Sequence, residues 1–147
     1  MAVQLPDDFK EFLKLLSDHN VEYLLIGGYA VGFYGYARAT NDLDIWVSAD
    51  QENVARLIEA LRAFGMESSE LQTDVFSESE ILRLGAPPLR IEIMSEISGV
   101  KFEACYNARE TDQLDGVPVS LIDLESLKEN KRASGRYKDL DDLEHLD

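Results

Sequence analysis

Cysteine is almost missing from this sequence: Cys105 is the only one, so no disulfide can close within the chain. Histidine is nearly as scarce, and His19 and His145 stand far apart, so no Cys/His cluster has zinc spacing. No apolar run approaches the roughly 18 residues of a membrane-spanning helix. The opening "MAVQLPDDFKEF" lacks the basic and then apolar regions of a signal peptide. These absences make a cytoplasmic protein without membrane contact the expectation. Positive charge is also in short supply, with 14 Lys and Arg against 29 Asp and Glu, a formal net charge of −15. So acidic a surface repels phosphate backbones and disfavours broad, sequence-independent nucleic-acid binding.

What is present suits one globular domain over residues 1–147, long enough for a real core. Phe9, Phe12, Leu13 and Leu16 fall at helical spacing within residues 7–19. "VEYLLI" reads as a strand, a helix is expected from Tyr29 to about Tyr36, and "DLDIWV" reads as a second strand. "ADQENVARLIEALRAFG" is a clear helix, with Val54, Leu57, Ile58 and Leu61 on one face and Gly65 closing it. The polar stretch "ESSELQTDVFSESE" is a loop or an edge strand. "ILRLGAPPLRIEIM" reads as a hairpin about Gly-Ala-Pro-Pro, and "VKFEACYNAR" as a short strand or turn. "VPVSLID" is a strand leading to a final helix pair split at Gly135. Strands that alternate with helices and then cluster predict an α/β fold, with helices flanking a mixed β-sheet and a C-terminal helix pair.

The chemistry concentrates in "LLIGGYAVGFYGYARATNDLDIWV". Asp42 and Asp44, two apart on a strand, share one face while Leu43 and Ile45 take the other. Two such carboxylates repel unless a cation sits between them, and Mg²⁺ seeks one or two carboxylates plus substrate phosphates. An edge strand with a solvated acidic face would account equally for an isolated Asp-x-Asp. Gly27-Gly28 closes a strand where a helix follows, an arrangement that lets backbone N–H groups approach an anion. A tight turn with no ligand is the alternative. Glu92, between Ile91 and Ile93 in "LRIEIM", emerges from one face of another apolar strand. Three strand-borne carboxylates beside an anion-binding turn are the parts of a two-metal phosphoryl-transfer site. Five basic residues lie between Lys128 and Lys138 against one acid, Glu129. In so acidic a chain, Lys131 and Arg136 are candidate countercharges for a triphosphate. The plainer reading is that this island completes a helix dipole and pairs with Asp139 and Asp142 on the surface. Trp46 and Cys105 read as core residues.

The order of glycine pair, helix, Arg-x-Thr, Asp-x-Asp and later strand carboxylate resembles the polymerase-beta-type nucleotidyltransferase superfamily. More narrowly, it is similar to the small prokaryotic nucleotidyltransferases, some of which are toxins of toxin–antitoxin pairs. "GGYAVGFYGYARATNDLDIWV" and the ending "LKENKRASGRYKDLDDLEHL" carry the resemblance, which runs from about Val21 to Leu146. It implies a Mg²⁺-dependent enzyme, with Mn²⁺ as a substitute, that moves a nucleoside monophosphate from a triphosphate to a hydroxyl acceptor. By the same resemblance Asp42, Asp44 and Glu92 are metal ligands and catalytic groups. Gly27 and Gly28 cradle the triphosphate, and Arg38 and Thr40 belong to the nucleotide-binding loop. The acceptor is open among tRNA ends, a protein side chain and a small molecule, and an antitoxin partner is open with it. Gly28 stands where the superfamily commonly has serine, and Glu92 where aspartate is usual. A catalytically degenerate nucleotide-binding or protein-interaction module is therefore the alternative. A metal-dependent glycosyltransferase fails on length and leaves Glu92 unexplained.

Overall fold

The computed structural model describes residues 4–36, 40–66, 76, 81–85 and 89–146. Arg38, most of the polar stretch after Met66, and residues 86–88 of the expected hairpin turn lie outside the described residues. Helix α1 (Asp7–Asp18) begins with two acids in its first turn, where the helix dipole favours them, and buries Phe9, Phe12, Leu13 and Leu16. Strand β1 (Tyr23–Ile26) is buried throughout, as an all-apolar strand in the middle of a sheet should be. It runs straight into α2 (Gly27–Phe33), which starts two residues earlier than the sequence led us to expect. Then come β2 (Asp42–Val47), α3 (Gln51–Ala63), β3 (Leu82–Leu84) and β4 (Arg90–Met94). The chain finishes with α4 (Phe102–Asn107), β5 (Glu110–Leu114), β6 (Val117–Leu121), α5 (Leu124–Ser134) and α6 (Tyr137–His145).

The six strands form one mixed sheet in the order β3-β4-β2-β1-β6-β5. β2 pairs antiparallel with β1 and parallel with β4, so the two acidic strand segments lie side by side. Leu43, Ile45, Ile91 and Ile93 are buried on the face opposite the acids. Asn53 ties α3 to the strand ends: its Oδ1 accepts from Glu22 N at 2.7 Å, and its Nδ2 donates to Glu22 O and Ser48 O. Among the described residues, no helix is long and apolar enough to cross a membrane.

Two elements differ from the sequence reading. "VKFEACYNAR", expected as strand or turn, holds α4. Phe102 and Tyr106, one helical turn apart, stack at 5.4 Å, while Phe102 meets the Trp46 ring edge-on and Cys105 is buried. Tertiary packing decides a segment whose local pattern is ambiguous. Strand β5 was not anticipated because "ETDQL" is polar and buries only Leu114. It pairs antiparallel with β6 across Asp115-Gly116, both at positive φ (50° and 80°), the Asp-Gly chemistry of a tight hairpin.

The helix pair packs through charge. Gly135 ends α5 in the left-handed conformation (φ 66°), as a C-terminal glycine does. Lys131 Nζ then meets Asp139 Oδ1 at 3.1 Å and Asp142 Oδ2 at 3.0 Å, with side chains 4%, 1% and 1% exposed. The expected surface pairing is thus an interior one. Arg136 adds a second cation to Asp139, Nε to Oδ2 at 2.7 Å. Burial alone would raise the Asp139 pKa, but hydrogen bonds from Arg136, Ser134 and Lys131 hold it well below the usual carboxylate range. Removing one partner of such a group leaves buried charge behind and costs about 3–5 kcal/mol. Lys131→Met should therefore lower the melting temperature by about 10 °C. A variant that melts like the parent yet no longer binds triphosphate would show instead that Lys131 serves phosphate and not the fold.

Candidate active site

The chain turns from β1 into α2 at Gly27, whose φ of +69° favours glycine. Space opposes a side chain there as well, because a Cβ would collide with the Asp44 carboxylate and force it to move. Ile26 is the register partner of Asp44, which brings the corner onto the acid. Gly28 is fixed by a different neighbour: a Cβ on it would lie 2.8 Å from Cβ and Oγ1 of Thr40. The glycine pair is thus demanded by packing, and what it packs against is the acidic strand and its approach.

Asp44 is in parallel register with Glu92, and Asp42 with Arg90, so all four side chains rise from one face. Asp42, Asp44, Glu92 and Gly27 line one cleft of about 460 Å³. Lys131 and Arg136 contribute to its far wall, and Lys138 joins them. Gly28 and Thr40 do not line the cleft; they sit packed on each other beside Gly27. Trp46, next on the same face of β2, is buried and donates its Nε1–H to Ser95 O at 3.1 Å.

Three residues of this cleft and its floor were not singled out from sequence. Arg83 faces Glu92 across the β3–β4 pair, Nε to Oε1 at 3.5 Å. Arg90 Nε lies 3.8 Å from Asp42 Oδ1. The two-residue alternation in "LRL" and "RIEIM" could have revealed both, since it puts them on the Glu92 face. Lys138 is exposed and closes the basic run in the sequence.

Burial, then the charges of Glu92 and Asp42, push the Asp44 carboxyl up to about 6, against a partial offset from Lys138 and Lys131. A hard divalent cation would relieve that repulsion, and three oxygen donors on one face suit it in chemistry. As placed, no group of three acids among the described residues closes on one point. Asp42 and Glu92 are turned to their arginines, so binding a cation requires those two carboxylates to swing inward.

The raised Asp44 value has a sign for stability. The folded state holds this proton more tightly than the unfolded chain, so stability falls as pH rises from about 4 to about 6 and stays reduced above. In chelator-treated protein, Asp44→Asn should melt several degrees above the parent at pH 7.5, reflecting about 1–3 kcal/mol, and the gap should close near pH 4. A gap independent of pH would mean that Asp44 carries no strained charge.

Comparison with known proteins adds an independent line. The fold superposes on a protein of Thermotoga maritima assigned to the nucleotidyltransferases with a TM-score of 0.62 and 16% identity, over 92% of this chain and 88% of that one. An antigenic nucleotidyltransferase-like protein of Paracoccidioides brasiliensis aligns at a TM-score of 0.48 and 17% identity, over 97% of this chain and 77% of its own; a score that low adds nothing to the fold assignment. No curated protein matches the chain by sequence. The family model for aminoglycoside-2″-adenylyltransferase, however, matches residues 8–146, nearly the whole length, and the chain therefore belongs to that family of nucleotidyltransferases.

Proposed function

We propose that this nucleotidyltransferase moves a nucleoside monophosphate from a triphosphate to an acceptor hydroxyl and releases pyrophosphate. The observation that carries the reading is the register of Asp44 with Glu92 on one cleft face, beside the Gly27 corner. In this reading Asp42, Asp44 and Glu92 hold Mg²⁺, or Mn²⁺ in its place, which supplies Lewis-acid activation of the hydroxyl and charge relief at the phosphates. Glu92 takes the proton as the acceptor oxygen bonds to the α-phosphorus and the bond to pyrophosphate breaks. On the nucleotide side, Gly27, Lys131 and Arg136 line the cleft, while Gly28 and Thr40 back the Gly27 corner. The exposed Lys138 joins them as the cation of the cleft's far wall that makes no ion pair among the described residues.

The family's name supplies the first acceptor class to try, an aminoglycoside hydroxyl. A polycationic acceptor also suits a chain of net charge −15 better than a long RNA does. Transfer to tRNA would instead support the toxin–antitoxin role, and transfer to protein a modifying one; a cytoplasmic setting goes with any of the three. The pairing of Asp42 and Glu92 with arginines favours a second reading, a degenerate module that binds nucleotide without turnover.

Labelled triphosphates with Mg²⁺, offered in turn with aminoglycosides, tRNA and total cell extract, separate these readings. Glu92→Gln should keep triphosphate binding while transfer falls by roughly 10²-fold or more. Lys138→Ala should weaken binding by about 1.5–3 kcal/mol, the scale of a charge-assisted contact to phosphate. Binding without transfer to anything would establish the degenerate module, and neither binding nor transfer would leave only the fold.

A further inference from the structure

Past Asp44 and Glu92 the acidic face of the sheet turns apolar. The next residues on that face, Trp46 and Met94, are again register partners, about 7 Å further along their strands. Met94 still lines the acidic cleft, while Trp46 floors a second cavity of about 300 Å³. Glu96 and Ile97 line both cavities, so the second is a side pocket of the first. Ser95, Val100, Lys101 and Phe102 complete its walls.

The connection from β4 to α4 that makes this wall is fastened along its length. Ser95 O accepts from Trp46 Nε1 at 3.1 Å, and Ser98 O accepts from Asn130 Nδ2 at 2.9 Å. Gly99, at a φ of +81°, lies so close to α5 that a Cβ would stand 2.5 Å from Ala133 Cβ. Phe102 is held edge-on to Trp46 at 5.2 Å and stacked on Tyr106, over which the Arg109 guanidinium sits at 4.0 Å. The pocket is therefore preformed, and a ligand need order little to enter it.

Its charges are few. Glu96 and Lys101 are exposed, and neither has an ion-pair partner among the described residues. One carboxylate beside aromatic and branched aliphatic walls suits one ammonium group on an apolar ring, and the aromatic rings add to its attraction for a cation. Lys101 opposes a second ammonium. The net charge of −15 draws polycations to the molecule at large, but these walls decide what can lie here.

We propose that this side pocket seats the body of the acceptor, a single apolar ring bearing one amine, with the ammonium on Glu96 and the hydroxyl reaching back over Met94 to the acids. This rests on the nucleotidyl-transfer reading above. It deepens that reading by naming the acceptor's chemistry and by making Glu96, Val100 and Phe102 specificity-determining residues.

Trp46 is the sole tryptophan, so its fluorescence reads this pocket directly. The test titrates the full chain with phenethylamine, with its neutral counterpart 2-phenylethanol, and with 2-deoxystreptamine, a polyhydroxylated ring carrying two amines. Phenethylamine should change the Trp46 emission, and 2-phenylethanol should bind about tenfold more weakly for want of a charge-assisted contact. Glu96→Gln should erase that difference. Val100→Arg, which fills the pocket and adds like charge, should remove the phenethylamine response while melting as the parent does. Glu96→Gln, on an exposed side chain, keeps the test decisive should Val100→Arg unfold. Saturating Mg²⁺ with an α,β-methylene triphosphate that cannot be cleaved should leave the phenethylamine titration in place. The proposal is overturned if phenethylamine does not bind, if the triphosphate displaces it, if Glu96→Gln keeps the preference for the amine, or if 2-deoxystreptamine binds more tightly. The two readings fail separately. A parent that binds no triphosphate overturns nucleotidyl transfer and the acceptor role with it, whereas one that binds triphosphate but not phenethylamine overturns the pocket alone.

Discussion

Position 27 favours glycine for both its backbone and its surroundings, and much of the site follows from that. The corner from β1 into α2 lies directly against the Asp44 carboxylate, at a backbone φ that other residues rarely adopt. The antiparallel register of β1 with β2 sets the approach, by pairing Ile26 with Asp44. The parallel register of β2 with β4 then sets Glu92 beside the same acid. A larger residue at 27 would push the strands apart or turn Asp44 out of the cleft. The glycine pair is therefore explained by packing before any phosphate is considered. The functional weight lies in what it packs on, because backbone approaching a carboxylate this closely is a poor anion site until a cation intervenes.

Charge organises the rest of the molecule in a way that the net value hides. The basic run near the C-terminus looks like a phosphate patch in an acidic protein, yet two of its members are committed internally. Lys131 binds Asp139 and Asp142 in the interior, and Arg136 binds Asp139 from the edge. These contacts fasten α6 to α5 and hold the far wall of the cleft in place. Lys138, exposed and on that same wall, is left to face the cleft. The residues of the basic run that serve the fold, Lys131 and Arg136, thus lie seven and two positions from Lys138, which lines the cleft.

The acidic strand faces were legible in the sequence because period-two alternation stands out where acids interrupt Val, Ile, Leu and Trp. Alternation put Asp42 and Asp44 on one face of their strand and Glu92 on one face of another, and the β2–β4 register brings all three to one cleft. The helix pair and its break at Gly135 were legible for the same reason, since Gly is the common residue for a left-handed helix end. Two kinds of information were not legible. Burial of Lys131 depends on where α6 folds back, a tertiary fact that surface-type helix patterns cannot report. The helical state of 102–107 depends on Phe102 meeting Trp46, which is far away in sequence. Strand β5 lay between: its polar residues concealed it, but the Asp-Gly at its end was a usable signal.

Sheet order also gives the cleft a direction. The glycine corner belongs to β1, the three carboxylates to β2 and β4, and Arg83 to the edge strand β3. In-line displacement at phosphorus requires the attacking oxygen and the leaving group to stand on opposite sides of the transferred group. On the proposed reading, phosphates at the Gly27 end would put the leaving pyrophosphate toward β1 and bring the hydroxyl from the opposite end of the cleft. Beside the acids the cleft lining mixes apolar and charged groups: Ile81, Met94 and Ile97 together with Glu96 and Arg83. A cationic acceptor would meet Glu96 and, once Glu92 is engaged elsewhere, would also meet an unpaired Arg83. On the proposed reading, acceptor choice would then turn on which of those two charges the bound acceptor can satisfy.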